Sequence, residues 1–228
     1  MVRTDVAALI PAYQAEATVG PVVTGARQYC ARVVVVDDGS TDATAARAVA
    51  AGAECLRHEQ NTGKGAAIRT GLGALARADI GRALTLDADG QHLAAEIPPL
   101  LAASDASPDA IVVGVRLKKG HTIARAARFG NWIADRLLRL IAGRPLPDTQ
   151  CGFRVYPVAA TLVLRAGGPR YEYETEVLLR AARRGMPIVG VPVQVHYPPI
   201  AERVSYYRPW VDTLRIIAVV LRVLVRRA

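Results

Sequence analysis

The sequence predicts an α/β chain with a mostly parallel central sheet and helices on both faces. Three observations predict it. Strand-length apolar runs alternate with helical patterns from the first residues to about Val115, and that alternation builds parallel sheets through crossover helices. Val33 to Val36 is a run of valines that reads as a strand. Two acid clusters, Asp37-Asp38 and Asp87-Ala88-Asp89, each follow directly on such a run, and open α/β sheets bind ligands beyond the carboxyl ends of their strands.

The elements follow in order. Val6–Pro11 reads as a buried strand, Gly20–Ala31 as a helix, and Val33–Val36 as a strand ending in Asp37-Asp38-Gly39-Ser40. Thr41–Ala51 is an Ala-rich helix capped by Ser40 or Thr41. Glu54–Arg57 is a short strand, Gly65–Ala78 a helix, Ala83–Leu86 a strand, Leu93–Ala103 a helix and Ala110–Val115 a strand. The second half is less regular. It holds a long helix at Ile123–Ala142, a loop at Gly143–Gly152, a strand at Phe153–Tyr156 and a helix at Glu174–Arg184. Ile188–His196 alternates and carries Pro192, which places it at a sheet edge. No repeat or linker divides the chain, so 1–228 reads as one domain with an amphipathic helix over 208–228.

A chain of 228 residues, 51% of them apolar, can bury a substantial core. Its 29 basic against 20 acidic residues, a net charge of +9, call for an anionic partner such as a phosphorylated substrate or an anionic membrane surface. Nucleic acid fits poorly, because aromatics are few and not interleaved with the basic residues. The widely spaced Cys30, Cys55 and Cys151 argue against a disulfide framework and for a reducing, cytoplasmic setting. MVRTDVAALIPAY has too short an apolar run for a signal peptide. No apolar run reaches the roughly 20 residues a membrane-crossing helix needs.

Three constellations carry chemistry. In Thr85 to His92, Asp87 and Asp89 lie two apart, so in an extended chain they point the same way, and Gly90 permits a turn after them. Two such carboxylates repel unless a cation sits between them, and oxygen ligands of this kind suit Mg²⁺ or Mn²⁺, with Gln91 a possible third donor. An Asp-x-Asp alone is as readily a solvated acidic turn; its place at the end of a buried strand favours a metal. In Val33 to Thr44, Asp37 or Asp38 can accept hydrogen bonds from a base or a ribose, whereas helix capping accounts only for Ser40 or Asp42. In Asn61-Thr-Gly-Lys-Gly65, opening a helix, backbone amides and Lys64 can meet a phosphate or a base, although a plain turn is the commoner meaning. The segment is neither a P-loop nor a dinucleotide fingerprint.

Taken in order, Ile10-Pro-Ala-Tyr13, VVDDGSTD, NTGKG, LDADGQH, Asp148 to Arg154 (DTQCGFR) and Tyr173 to Glu176 (YETE) resemble the family-two inverting glycosyltransferases of the GT-A fold. The resemblance runs from about Ala7 to Arg215 and is strongest to the dolichol- or polyprenyl-phosphate mannosyl- and glucosyltransferase branch. It implies a nucleotide-sugar donor such as a UDP- or GDP-sugar. Pro11, Tyr13 and Glu16 then line the nucleotide site, Asp38 contacts the nucleoside, and Lys64 joins them. Asp87, Asp89 and Gln91 match the Mg²⁺ or Mn²⁺ and diphosphate site. Arg116 and either Arg125 or Arg128 match arginines that meet donor or acceptor phosphate, Arg154 falls in the acceptor region and would hold an acceptor phosphate, and Glu174 and Glu176 match an acidic pair near the acceptor. The sequence departs from the family pattern where Gln14 replaces an asparagine, where the acid is delayed to Glu16, and where Ala127 replaces a serine. Ser205-Tyr-Tyr-Arg-Pro209 resembles the S-H-F-R-P of a bacterial subgroup.

The expected reaction is inverting sugar transfer to a polyprenyl phosphate or another membrane-associated lipid. A phosphate acceptor is already ionised and needs no base, whereas a hydroxyl acceptor would call on Glu174 or Asp148. Two rivals are a sugar nucleotidyltransferase and a non-catalytic membrane-associated binding module. The first should carry a basic, glycine-rich loop where Pro11 to Gly20 has no basic residue; the second should have lost an acid of the site. Arg208, Asp212, Arg215, Arg222 and Arg226 share one stripe of an otherwise apolar helix. Such a helix either lies in the membrane interface, on the inner face of the cell membrane, or packs on protein.

Overall fold

The computed structural model describes residues 2–117, 146–196 and 209–225, the last stretch with side chains from 215 to 223. The helix expected at Ile123–Ala142, with Arg125, Arg128 and Asn131, lies outside the described residues, as do Ser205 to Arg208 and Arg226. The chain runs β1 (Arg3–Ala12), α1 (Val19–Arg27), β2 (Cys30–Asp37), α2 (Thr44–Ala50), β3 (Glu54–Arg57), α3 (Lys64–Arg77) and β4 (Arg82–Thr85). A 3₁₀ turn at Ala94–Glu96 then leads into α4 (Ile97–Ala106), followed by β5 (Ile111–Arg116), β6 (Arg154–Pro157), α5 (Val158–Val163), α6 (Glu172–Arg183), β7 (Ile188–Val193) and α7 (Pro209–Val225).

The seven strands form one sheet in the order β3-β2-β1-β4-β6-β5-β7. Every pairing is parallel except those of β6, which runs antiparallel to β4 and to β5. β7, with Pro192, takes the edge that its proline requires. Alternation along each strand sorts the core into two layers. Val6, Ala8 and Ile10 of β1 and Val33 and Val35 of β2 pack with Val19, Val23, Ile97 and Leu100 of α1 and α4. Ala7, Leu9, Val34 and Val36 face the other way, onto Ile68, Leu72 and Leu75 of α3 and Val177 and Leu178 of α6. The result is a mixed α/β sheet with helices on both faces, as the alternation of elements predicts.

Of the boundaries that shift from the sequence reading, two have clear local reasons. α1 stops at Arg27 because the buried Cys30 already belongs to β2. α2 starts at Thr44, and neither Ser40 nor Thr41 caps it. The Ser40 hydroxyl instead accepts the Gln14 N–H at 2.9 Å, and Asp42 Oδ1 accepts the Thr44 N–H at 2.9 Å. At the C-terminal end, α7 lays Val219, Val220 and Val223 against Leu179 and Ala182 of α6. Ile217 and Leu221 remain exposed, 42% and 52%.

Candidate active site

The loops leaving β1, β2 and β4 meet the start of α3 and the segment before α6 around a cavity of about 410 Å³, a size typical of small-molecule sites. Eight residues singled out in the sequence line it: Pro11, Tyr13, Glu16, Asp38, Lys64, Asp87, Asp89 and Gln91. Arg170 and Tyr171 complete the wall from the far side.

At one end the loop after β1 is stapled to the loop after β2. Gln14 sits at φ 49°, a left-handed conformation in which an asparagine is more at ease. Its side-chain oxygen offsets that cost by accepting the Thr41 and Asp42 N–H groups at 3.0 and 3.2 Å. Glu16 accepts the Ala43 N–H at 3.0 Å, and the Ala15 N–H reaches the Thr44 hydroxyl at 2.7 Å. The paired aspartates divide their work, as adjacent strand residues must. Asp37 is fully buried, accepts the Ser40 N–H at 3.0 Å and faces Arg57 at 3.3 Å. Asp38 turns to the cavity and organises the Asn61–Gly65 turn. It accepts the Thr62 N–H at 2.9 Å, the Thr62 hydroxyl at 2.8 Å and the Gly63 N–H at 2.7 Å. His58 bridges Asp38 Oδ1 at 2.7 Å and the Thr70 hydroxyl at 2.9 Å, which fixes the carboxylate's orientation.

At the other end, β4 delivers Asp87 and Asp89. Lys64 Nζ sits 2.5 Å from Asp87 and 3.0 Å from Glu174. Burial works against the lysine's charge, but Asp87 and Glu174 outweigh it and raise its pKa. Burial likewise pushes Asp87 up, and the Lys64 charge overrides it, so Asp87 stays ionised below the usual carboxylate range. Asp89 behaves oppositely. The surrounding protein, then the Asp87 charge, raise its pKa, and among the described residues its one hydrogen bond is from the Gln91 N–H at 2.9 Å. His92 closes the floor, stacked on Phe153 at 4.9 Å. Its Nδ1 accepts the Asp87 N–H at 3.1 Å, and burial lowers its pKa, so the ring is neutral with its proton on Nε2. The Gln91–His92 turn is pinned to the chain after β7 through the His196 N–H, 2.9 Å from the Gln91 carbonyl.

Gly152 presses on this group. A Cβ there would fall 2.7 Å from both carboxylate oxygens of Asp87 and 2.7 Å from Lys64 Nζ. Gly152→Ala should therefore displace the Asp87–Lys64 pair and lower kcat by about a hundredfold while the protein remains folded. Steady-state rates beside a thermal melt check it, and wild-type kcat would refute the tight fit.

The remaining sequence candidates lie elsewhere. Arg154, expected to meet a phosphate, is fully buried and donates to the carbonyls of Cys151, Thr149 and Glu174 at 2.7, 2.7 and 2.8 Å. Its hydrogen-bonding capacity is spent inside the protein. Glu176, expected near the acceptor, is 1% exposed; it accepts the Gly167 and Gly168 N–H groups at 2.9 Å and pairs with Arg180 at 2.8 Å. Glu174, 3% exposed, stands behind Lys64 and does not line the cavity. Arg116 is in a bidentate pair with Asp148, at 2.6 and 2.9 Å. Arg116 lowers the Asp148 pKa against the opposing effect of burial. Neither residue lines the cavity.

The family model for Glycosyl transferase family 2 matches residues 7–162. The chain belongs to that family. An uncharacterized protein of Methanocaldococcus jannaschii is 33% identical over 211 residues, covering 87% of this chain and 90% of its own. The UDP-N-acetylglucosamine–dolichyl-phosphate N-acetylglucosaminyltransferase of Methanococcus voltae is 28% identical, covering 83% of this chain and 84% of its own. The polyprenol monophosphomannose synthase of Mycolicibacterium smegmatis is 28% identical, covering 81% and 75%. Among solved structures, glucosyl-3-phosphoglycerate synthase from Mycobacterium tuberculosis in complex with Mg²⁺ and uridine diphosphate superposes with a TM-score of 0.74 at 22% identity. That match covers 97% of this chain and 79% of the other. Relatives in family 2 thus include enzymes named for dolichyl and polyprenyl phosphate acceptors.

For a family 2 glycosyltransferase, the cavity holds residues that sequence reasoning missed. Arg170 and Tyr171 precede α6 in a stretch with no motif of its own. His58 and His92, which no motif role covers, each orient a carboxylate-bearing segment of the site. The position of His58, three residues before the Asn61 turn, was the available signal.

Proposed function

We propose that the chain transfers a sugar, with inversion, from a UDP- or GDP-sugar to a polyprenyl phosphate or another membrane-associated lipid. The observation that carries this reading is the convergence of Tyr13, Asp38, Lys64 and Asp89 on one cavity at the strand ends. The relatives named for dolichyl and polyprenyl phosphate support the acceptor, and the UDP-bound neighbour supports the donor. Tyr13, Glu16 and Asp38 hold the nucleoside, beside a turn that Asp38 itself shapes.

The residues fit a divalent ion. Asp89 is a carboxylate whose charge the surroundings disfavour, and among the described residues it has no ion-pair partner. Asp89 and Gln91 would hold Mg²⁺ or Mn²⁺, with Asp87 adjoining but already neutralised by Lys64. Among the described residues no three His, Cys, Asp or Glu side chains converge, so the ion would rely on substrate oxygens, as Mg²⁺ sites at diphosphates do. When bound, the ion neutralises the departing diphosphate. A lipid phosphate attacks as an anion, so the burial of Glu174 behind Lys64 raises no difficulty. A thermal-shift panel of UDP-, GDP- and dTDP-sugars with Mn²⁺ tests the reading. One donor should raise the melting temperature by several degrees; no stabilisation by any of them overturns it.

The whole of 1–228 would serve as one such domain, acting from the cytoplasmic face of the membrane through α7. No described helix is long and apolar enough to cross a membrane. One side of α7 is committed to α6, while Ile217 and Leu221 stay exposed on the same helix as the exposed Arg215 and Arg222. That combination suits contact with an anionic surface. The double substitution Ile217→Asp, Leu221→Asp should abolish co-sedimentation with phosphatidylglycerol-containing vesicles and leave the melting temperature unchanged. Undiminished pelleting of the variant counts against α7 as the contact.

A further inference from the structure

We infer that Arg170 is a phosphate-binding residue of this site and that it holds the diphosphate of the sugar nucleotide. The inference rests on the glycosyltransferase reading above and adds a substrate contact to it.

Two cationic side chains line the cavity among the described residues, Lys64 and Arg170. Lys64 is occupied by Asp87 and Glu174 at 2.5 and 3.0 Å. The Arg170 guanidinium has no hydrogen bond or ion pair to any described residue; only its backbone N–H is engaged, with Glu172 at 3.3 Å. The arginines named in the sequence do not compensate, since Arg154 is spent on carbonyls and Arg116 on Asp148. A guanidinium unpaired among the described residues, in a cavity that also holds Glu16, Asp38, Asp87 and Asp89, is a cation held in reserve for an anion that enters. Its planar fork suits two phosphate oxygens at once.

The stem of Arg170 is also fixed in place. The Pro169 carbonyl accepts the Ala66 N–H at 2.9 Å, which ties the segment to the first turn of α3. Gly63, at φ +104°, lets the chain pass so closely that a Cβ there would lie 2.6 Å from Arg170 Cγ and 2.5 Å from the Pro169 carbonyl oxygen. The same Gly63 gives its N–H to Asp38 at 2.7 Å. One short turn thus joins the proposed nucleoside contact, Asp38, to Arg170. A nucleoside diphosphate offers the matching pair of groups, a base and ribose for Asp38 and phosphate oxygens for the guanidinium. The acceptor's own phosphate offers the same oxyanion chemistry, and the experiment separates the two sources.

The test compares Arg170→Gln and Arg170→Lys with the wild type. Calorimetry measures binding of UDP, GDP and the bare nucleosides with Mn²⁺, and steady-state kinetics measure KM for farnesyl phosphate. Arg170→Gln should weaken the diphosphate that the wild type binds by about tenfold to a hundredfold. Arg170→Lys should recover part of the loss, and affinity for the nucleoside should not move. The unliganded melting temperature should match the wild type, because no partner among the described residues is lost. An unchanged diphosphate Kd with a raised KM for farnesyl phosphate overturns the donor assignment in favour of the acceptor phosphate. Unchanged values for both overturn any phosphate role. If the wild type itself binds neither UDP nor GDP, the glycosyltransferase reading fails instead, before the variants are compared.

Discussion

Asp89→Asn is expected to lower turnover by about a thousandfold or more with Mg²⁺ or Mn²⁺ present, while the protein folds as before. The substitution keeps the shape of the side chain and removes its charge. The hydrogen bond from the Gln91 N–H at 2.9 Å can be accepted by an amide oxygen equally well. What is lost is the carboxylate that has no cationic partner among the described residues. Asp87 cannot replace it, because Lys64 at 2.5 Å already neutralises it and Gly152 packs against its oxygens. The comparison with Asp87→Asn is informative for the same reason. That variant strands Lys64 beside Glu174 alone, so it should lower the melting temperature as well as the rate, whereas Asp89→Asn should lower the rate only. Turnover by Asp89→Asn within a few fold of wild type would remove Asp89 from the reaction centre.

The donor half of this site was legible in the sequence because its signals are local. A strand that ends in acids puts those acids at the sheet's carboxyl edge whatever the rest of the chain does, and β1, β2 and β4 do end beside one another. The residues alone left open which of Asp37 and Asp38 serves the site, and the family resemblance pointed to Asp38; strand alternation divides them, sending Asp37 toward Arg57 and Asp38 toward the cavity. The far wall was not legible. β6 enters the sheet antiparallel between β4 and β5, and no pattern in Arg154–Pro157 itself signals that placement. An arginine there reads alike in sequence whether it points at a ligand or at three carbonyls. Glu176 misled in the same way. It lies on α6, whose residues from Glu172 to Leu179 are all buried, so its acid serves the Gly167-Gly168 loop. Arg170 gave no signal because its place depends on how Pro169 meets α3.

Arg154 offers the sharpest contrast between the two readings. Burial works against its charge, and Tyr156 and Glu174 hold it protonated. Its guanidinium binds the 149–151 turn, through Thr149 and Cys151, to the first turn of α6, through the Glu174 carbonyl, with the Tyr156 hydroxyl at 3.2 Å. Those two segments bring Gly152 against Asp87 and Glu174 against Lys64. Arg154→Ala removes every one of these donors, leaves three carbonyls unsatisfied and opens a large void in the sheet's inner layer. The expected cost is about 3–5 kcal/mol, seen as a fall of roughly 10 °C in melting temperature for a chain of this size. Arg154→Lys keeps a charge but cannot reach all three carbonyls, so it should fall between the two. Were Arg154 a phosphate ligand, as the sequence pattern suggests, the outcome would invert. The alanine variant would melt like the wild type, and its KM for a lipid phosphate would rise while the fold stayed intact. A thermal melt and one acceptor titration on the same two variants separate these cases, because a residue that joins β6 to α6 cannot be removed without loosening the sheet.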